Sequence, residues 1–223
     1  EMMRREGFEI TVGKPQVVTR TIDGRIHEPV ERVAIDIPEE FLGVVTQLLA
    51  LRKGRLEEMV NHGTGWVRME YLVPARGLIG FRSLLLTATR GTALMHQHNA
   101  GWIPWAGELP HRQGGAMISD RAGATTGYAL DNLQARGEFF LGPGTPVYEG
   151  MVVGESARPD DMVINVTREK QKTNIRTHSH DEAIKLNSPR ILTLETAIEF
   201  IAEDELVEVT PASLRVRKRQ LRE

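Results

Sequence analysis

The sequence predicts an α+β protein, and two patterns along its 223 residues carry the prediction. Residues 29–98 show two helix patterns among four strand patterns, in the order strand, helix, strand, strand, helix, strand. After residue 100, short strand patterns alternate with frequent glycines and prolines. The first pattern predicts a ferredoxin-like split β-α-β domain, and the second predicts a β-rich C-terminal domain with short helices.

The first strand and helix of the split domain have clear signals. In "EPVERVAIDI", apolar and polar residues alternate from Val30 to Ile37, which predicts a strand that ends at Pro38. The stretch "PEEFLGVVTQLLALRKG" then begins with proline and two glutamates, which suit a helix N-terminus, and closes with two basic residues and glycine. The predicted apolar face of this helix comprises Leu42, Val45, Leu48 and Leu49.

The second half of the domain begins with a hairpin, "RLEEMV" and "WVRMEYLVP" around "NHGTG". A helix is predicted from Leu78 to Gly91, and "TALMHQH" forms the last strand. Gly77 and Gly80 lie at the start of that helix, where they serve either close packing or anion binding by exposed N–H groups. "GLIG" also fits the G-x-x-G loop of an RNA-binding KH domain, but the Lys and Ser/Thr of a P-loop do not follow it.

The β-rich region holds two predicted helices and a terminal hairpin. One helix lies at "DNLQARG", with Asp131 as the N-cap and Gly137 as the stop. Another begins after Thr193 in "TLETAIEFIAEDE", with Leu194, Ile198 and Ile201 on one face. The hairpin "ELVEVTPASLRVRKRQL" turns at Thr-Pro-Ala-Ser.

The first residues predict a helix end, a stop at Gly7 and one strand that has no partner before it. A helix end and a single strand cannot close a core, and the chain does not begin with methionine. We therefore expect a fragment of a longer protein, with a poorly ordered or misdocked start.

Composition excludes several classes of protein. The chain has no cysteine, which excludes disulfides, thiolate zinc sites and thiol nucleophiles. It has no apolar run near the ~20 residues of a membrane span and no secretory leader, so we expect a cytoplasmic protein without membrane contact. The net charge is −2, and affinity for a polyanion must therefore come from local clusters of basic residues.

The most polar stretch is "NVTREKQKTNIRTHSHDE", residues 165–182, which we call the basic segment. A loop of this length is uncommon in a compact domain unless it is functional or disordered. Basic side chains attract phosphates, and neutral polar ones donate to phosphate or sugar oxygens, so the mixture suits an RNA backbone. A solvated surface loop is the alternative. The candidate contacts are Arg168, Lys170, Gln171, Lys172, Thr173, Asn174 and Arg176.

A second basic candidate is the last strand, where Arg215, Arg217 and Arg219 share one face by the period of two. Charges on a strand also prevent pairing between sheets if the strand lies at an edge. Arg76 and Arg82, near the glycines of the second helix, are further secondary contacts.

No catalytic or metal site emerges from the sequence. His96 and His98 point to one side of a strand, and His178 and His180 form another pair, but zinc needs three or four ligands and nothing joins the two pairs. Ser119 beside Asp120 lacks the context of a catalytic triad. We predict no metal and no catalytic residues.

Several blocks resemble one family closely: "EGFEITVGKP", "VPARGLIGFRS", "YALDNLQARGEFFLGPGTPVYEGMVVGE" and "TLETAIEFIAEDELVEVTPASLRVRKR". They resemble the C-terminal part of the BipA/TypA translational GTPases, over essentially the whole chain. The resemblance implies that residues 1–20 end an incomplete third domain and that 21–99 correspond to the fifth domain of elongation factor G. Residues 100–223 would be the family-specific C-terminal domain. GTP and Mg²⁺ would bind in the absent GTP-binding domain, so this fragment would have no cofactor and no enzymatic activity.

The resemblance also implies partners. It implies a monomer that binds the ribosome, contacts large-subunit rRNA and the acceptor end of the A-site tRNA, and serves ribosome assembly and stress adaptation. Residues 166–178 match the family's basic contact loop, which favours the RNA interpretation of the basic segment. The alternative is a ligand-sensing or protein-docking module without direct RNA contact.

Overall fold

The computed structural model describes residues 2–61, 63–109, 112, 114–170 and 185–221. The chain divides into two compact units. Pro15–His111 form one, which we call the ferredoxin-like unit, and Glu1–Lys14 with Arg112–Glu223 form the other, the β-rich unit.

The start of the chain belongs to the β-rich unit. A short helix, α1 (Met2–Arg5), precedes the strand β1 (Ile10–Gly13). β1 pairs antiparallel with the strand Glu205–Val209, and the Arg4 Nε donates to the Thr210 carbonyl at 3.0 Å. We expected a poorly ordered or misdocked start, and the structure pairs this strand with one from the far end of the chain. A partner so distant in sequence leaves no local signal.

The ferredoxin-like unit confirms the predicted order of strands and helices. Its sheet has the order β4-β5-β3-β6 with every pair antiparallel, and β2 extends it by pairing with the start of β3. Its elements are β2 (Arg20–Ile22), β3 (Arg25–Pro38), α2 (Leu42–Leu51), β4 (Arg55–Asn61), β5 (Trp66–Pro74), α3 (Phe81–Ala88) and β6 (Leu94–Pro104).

The core of this unit lies between the sheet and its two helices. Alternate side chains of β3 and β5 are fully buried, as the period of two predicts, and they pack against Val45 and Leu49 of α2 and Phe81 and Leu85 of α3. Leu42 and Leu48 of the predicted face of α2 are partly buried against the same cluster.

Two boundaries differ from the prediction. α3 begins at Phe81, because Ala75–Leu78 form a 3₁₀ turn and Gly80 adopts a left-handed conformation with φ of +72° immediately before the helix. β6 continues to Pro104, beyond the predicted strand, because the long β3 pairs with it as far as His27. Most of β6 is exposed, so its sequence lacks the apolar alternation that marks a strand.

The β-rich unit confirms the predicted mixture of short strands and short helices. Its main sheet has the order β1-β13-β14-β11-β7-β12, with β9 pairing to β11, and β8 and β10 form a separate pair. The elements are β7 (Ala116–Ser119), β8 (Gly123–Ala124), α4 (Gly127–Leu133), β9 (Gly137–Phe139), β10 (Pro146–Val147), β11 (Met151–Ser156), β12 (Met162–Ile164), α5 (Leu194–Phe200), β13 (Glu205–Val209) and β14 (Leu214–Lys218).

The two helices of this unit differ from the prediction in where α4 begins and where α5 ends. The N-cap of α4 is Thr126, whose Oγ1 accepts a hydrogen bond from the Ala129 N–H at 3.1 Å, so Asp131 as N-cap was wrong. α5 begins after Thr193 as predicted, with a reciprocal capping box. The helix ends at Phe200. Ile201, the last residue of the predicted apolar face, has an extended backbone and is fully buried, so it belongs to the loop after the helix.

The terminal hairpin is confirmed as β13 and β14. One interpretation of its arginines required β14 to be an edge strand, and the structure contradicts that interpretation. β14 lies between β13 and β11 and is not an edge strand. Its arginines therefore do not protect a sheet edge. Within the described residues, no helix is long and apolar enough to cross a membrane.

Candidate nucleic-acid interface

The basic segment is fixed at its first end by the N-cap of α4. The Thr126 backbone N–H donates to the Val166 carbonyl at 3.0 Å, and its hydroxyl donates to the Arg168 carbonyl while it caps the helix. Asn165 Oδ1 accepts hydrogen bonds from both the backbone N–H and the hydroxyl of Thr167. The chain is therefore held residue by residue as it leaves β12.

The chain just after the basic segment is fixed by Gln134, which follows α4. Its Nε2 donates to the Lys185 carbonyl at 3.1 Å, and its Oε1 accepts from the Asn187 N–H at 3.0 Å. Nε2 also donates to Asp131 Oδ1 at 2.8 Å, which orients the amide. Residues 165–168 and 185–187 are thus anchored to opposite ends of one short helix.

Gln134→Leu is expected to release the second anchor without changing charge. Because the Asn187 N–H loses its acceptor, its amide exchange should accelerate about fivefold, for a hydrogen bond of roughly 1 kcal/mol. Gln47→Leu, on the exposed surface of α2, is the control and should leave Asn187 exchange unchanged. Hydrogen exchange that distinguishes single amides measures both. Unchanged exchange at Asn187 in Gln134→Leu would show that Gln134 is not an anchor.

Two of the seven predicted contacts in the basic segment can be placed. Arg168 and Lys170 are exposed at the first anchored end. Gln171, Lys172, Thr173, Asn174 and Arg176 lie outside the described residues, as do His178 and His180.

Arg76 is engaged inside the ferredoxin-like unit. Its Nε and Nη2 donate to the Glu28 carboxylate at 2.6 and 3.1 Å, Nη2 also bonds the Gly107 carbonyl, and the guanidinium stacks over Trp105 at 3.8 Å. Glu28 is fully buried and also accepts from the Ala106 N–H at 2.7 Å. The pair therefore holds residues 105–107 against β3. Arg82 is exposed on α3.

The arginines of β14 differ in their surroundings. The Arg217 Nε lies 2.6 Å from Oε1 of Glu208, and Oε2 of the same carboxylate accepts a hydrogen bond from the Tyr148 hydroxyl at 2.7 Å. Burial and this hydrogen bond raise the pKa of Tyr148 above its usual value. Arg219, beyond the strand, donates to the Glu203 carbonyl at 3.0 Å. Arg215 is half-buried and lies opposite Glu208 in the register.

A cluster of charged side chains supports β12, the strand that leads into the basic segment. Asp161, just before β12, accepts from the Ala116 N–H at 2.6 Å and lies 2.5 Å from Lys218 Nζ. Lys218 also contacts Asp204 and the fully buried Glu205. The start of β12 is thereby tied to β7 and β14.

The pKa of Asp161 is lowered. Partial burial acts to raise it, but the hydrogen bond from Ala116 and the ion pair with Lys218 outweigh burial. The lowered pKa favours the ionised carboxylate in the folded state. This contribution to stability is present above the ordinary pKa of 3.8 and is lost as pH falls through the folded-state value.

We therefore expect Asp161→Asn to weaken the loss of stability in acid. Between about pH 5 and about pH 2, the free energy of unfolding of the β-rich unit should fall less steeply in this variant than in the wild type. Hydrogen exchange of the backbone amides of β13 and β14 measures this free energy of unfolding at each pH. Equal slopes in the two proteins would show that Asp161 does not contribute to acid sensitivity.

No metal site is evident where side chains are described. Within residues 2–61, 63–109, 112, 114–170 and 185–221, no three His, Cys, Asp or Glu side chains are grouped so that they could hold a metal ion. His96 and His98 are exposed on β6.

Two regions of the chain match known protein families. Residues 25–113 match the elongation factor G C-terminus, and residues 114–223 match the TypA/BipA C-terminal domain. The large ribosomal subunit assembly factor BipA of Escherichia coli K12 is 48% identical over 100% of this chain, which covers 37% of that protein. The protein of the same name from Bacillus subtilis is 44% identical over 99% of this chain, covering 36% of that relative.

These matches define the family of the chain. An elongation factor G C-terminus followed directly by a second C-terminal domain is the C-terminal region of a protein related to elongation factors. The chain belongs to the TypA/BipA family, as its sequence blocks predicted. It spans just over a third of the length of the curated relatives it matches.

Proposed function

We propose that this chain is the ribosome-binding C-terminal region of a translational GTPase, and that the basic segment contacts RNA. Its relatives are named as large ribosomal subunit assembly factors, which supports a role in ribosome assembly. The RNA partners would be large-subunit rRNA and the acceptor end of the A-site tRNA. The protein would act as a cytoplasmic monomer in ribosome assembly and stress adaptation. GTP and Mg²⁺ would bind outside this chain, which would itself be non-catalytic.

The observation that carries this proposal is that the chain is anchored to one helix both at the start of the basic segment and just after it. Thr126 holds the first residues of the segment, and Gln134 holds Lys185 and Asn187, which follow it, so the chain is attached to one helix before and after the candidate contacts. A fixed base lowers the entropy lost when a loop binds, because part of the ordering has already occurred on folding. Arg168 and Lys170 lie exposed at that base. The residue types between the anchors are those that contact phosphates.

The arginines predicted as secondary contacts fall into two groups, according to whether a carboxylate forms an ion pair with them in the described part of the chain. Glu28 and Glu208 neutralise Arg76 and Arg217, to which we assign structural roles. Arg82, Arg215 and Arg219 are the secondary contacts we propose, because no carboxylate in the described part of the chain forms an ion pair with them. RNA contacts of this kind would position the chain on the RNA without reading its base sequence.

Charge reversal in the basic segment tests the proposal. Lys170→Glu combined with Lys172→Glu should weaken ribosome binding roughly 10- to 100-fold, because two phosphate contacts are lost and two repulsions are added. Arg25→Glu combined with Arg55→Glu, on exposed strands of the ferredoxin-like unit, changes net charge equally and is the matched control. Equilibrium binding to purified ribosomes measures both variants.

Two outcomes would contradict the proposal. If the control variant loses as much affinity as the test variant, binding follows net charge and not the basic segment. If neither variant loses affinity, the chain docks without phosphate contacts there, as a ligand-sensing or protein-docking module would.

A further inference from the structure

A cleft between α4 and β12 adjoins the first anchored end of the basic segment. Its volume is about 450 Å³, within the range of small-molecule sites. The helix and the turn after it supply one side, and β12 and the residues that follow supply the other. The lining residues that matter here are Tyr128, Asn132, Arg136, Val163, Asn165 and Arg168.

The cleft has two positive charges that no carboxylate pairs with in the part of the chain that the structure describes. Among the described residues, no Asp or Glu forms an ion pair with Arg136 or Arg168, and both side chains are exposed. This differs from Arg76, Arg112 and Arg217, each of which contacts a glutamate at 2.6 Å. An anionic group is therefore the ligand that the rim of the cleft favours.

The remaining lining suits a flat ring with polar edges. Tyr128 supplies an aromatic ring, and Val163 is an apolar side chain that is 68% exposed on the edge strand β12. Asn132 donates its amide nitrogen to the Tyr128 carbonyl and keeps its oxygen as an acceptor. Asn165 uses its oxygen for Thr167 and keeps its NH₂ as a donor. One acceptor and one donor beside an aromatic ring are the groups that read the edge of a nucleobase.

We propose that this cleft binds one unpaired nucleotide of the RNA held by the basic segment. The base lies against Tyr128 and Val163, and its phosphate contacts Arg136 and Arg168. Arg168 links the two sites, because it lines the cleft and is also the first cation of the basic segment. A strand whose phosphates follow the basic segment would therefore place one nucleotide at the cleft. This inference rests on the proposed function.

An abasic strand separates base binding from charge. We would measure binding of the chain to an unstructured ten-nucleotide RNA and to a fully abasic chain with the same number of phosphates. Stacking of one base predicts that the wild type prefers the normal RNA roughly 5- to 150-fold. Val163→Glu, which places a carboxylate at the cleft without disturbing the core, should remove that preference. Ile191→Glu, at a site that is 81% exposed and outside the cleft, is the matched control and should keep it.

Each outcome decides between the two proposals. Equal affinity of the wild type for both strands, or a preference retained in Val163→Glu, overturns the cleft. If the variant Lys170→Glu with Lys172→Glu still loses affinity in that case, RNA binding by the basic segment stands alone. If the wild type binds neither strand, both proposals fail. If free nucleoside monophosphates bind as tightly as the RNA, the ligand is a free nucleotide and the RNA assignment is wrong.

Discussion

Glu205→Ala is expected to lower the free energy of unfolding of the β-rich unit by about 3–5 kcal/mol. Glu205 is fully buried and accepts hydrogen bonds from Arg112 Nη1 and Nη2 at 2.6 and 2.7 Å and from the Ala202 N–H at 2.9 Å. The variant leaves the largely buried Arg112 without its main partner, and the remaining charge of Asp161 lies farther away, at 3.4 Å. The loss thus reflects an uncompensated buried cation as much as the broken pair.

Hydrogen exchange of β13 and β14 measures this loss of stability, because both strands belong to the β-rich unit. All three tryptophans lie at positions 66, 102 and 105, so their fluorescence follows only the ferredoxin-like unit and should not change. Glu138→Ala is the matched control, because Glu138 is about half exposed and its ion pair with Arg190, at 3.3 Å, should be worth under about 1 kcal/mol. Equal effects of the two variants would refute the structural importance of the Glu205 pair.

Arg76→Ala is expected to destabilise the ferredoxin-like unit by about 3–5 kcal/mol. Among the described residues, the change leaves the fully buried Glu28 with the Ala106 N–H as its one remaining donor, and it removes the stacking on Trp105. Residues 105–107, then held to β3 by the backbone N–H groups of Trp105 and Ala106, should loosen before the unit unfolds. Tryptophan fluorescence during urea unfolding reports both events, because Trp105 lies at the site.

Arg82→Ala is the control for Arg76→Ala, since both arginines belong to the motif "RGLIGFR". Arg82 is exposed on α3, and its replacement should change stability by less than about 0.5 kcal/mol. If Arg76→Ala were equally mild and instead weakened ribosome binding, Arg76 would be an RNA contact, as the sequence alone predicted.

The ferredoxin-like unit could be predicted well because its signals are local. The alternation in β3, Pro38 before α2 and the glycines before α3 each act within a few residues. The end of β6 could not be predicted, because an exposed strand that pairs with a long neighbour needs no apolar pattern.

The β-rich unit was harder because its sheet joins distant parts of the chain. β1 pairs with β13, and β14 lies inside the sheet because β11 covers its other side. Neither pairing produces a recognisable pattern in the residues around these strands. The pair Arg112 and Glu205 is equally remote, and nothing in either local stretch indicates it.

The candidate site shows the same division. The composition of residues 165–182 identified the basic segment, but its anchors were missed. Thr126 could have been recognised as a helix cap, since "TTGYALDN" places threonine before a helical pattern. Gln134 had no such signal, because a glutamine that bonds a returning chain looks like any surface glutamine.

The most direct test of the central claim is co-sedimentation of this chain with ribosomes across a salt series, beside a variant with four alanine substitutions. These replace Arg168, Lys170, Lys172 and Arg176. We predict salt-sensitive binding, with a slope of about −0.7 to −0.9 in log affinity against log salt for each phosphate contacted, and a slope shallower by about 3 in the variant. Identical affinity and slope for the two proteins would contradict the claim that the basic segment binds RNA.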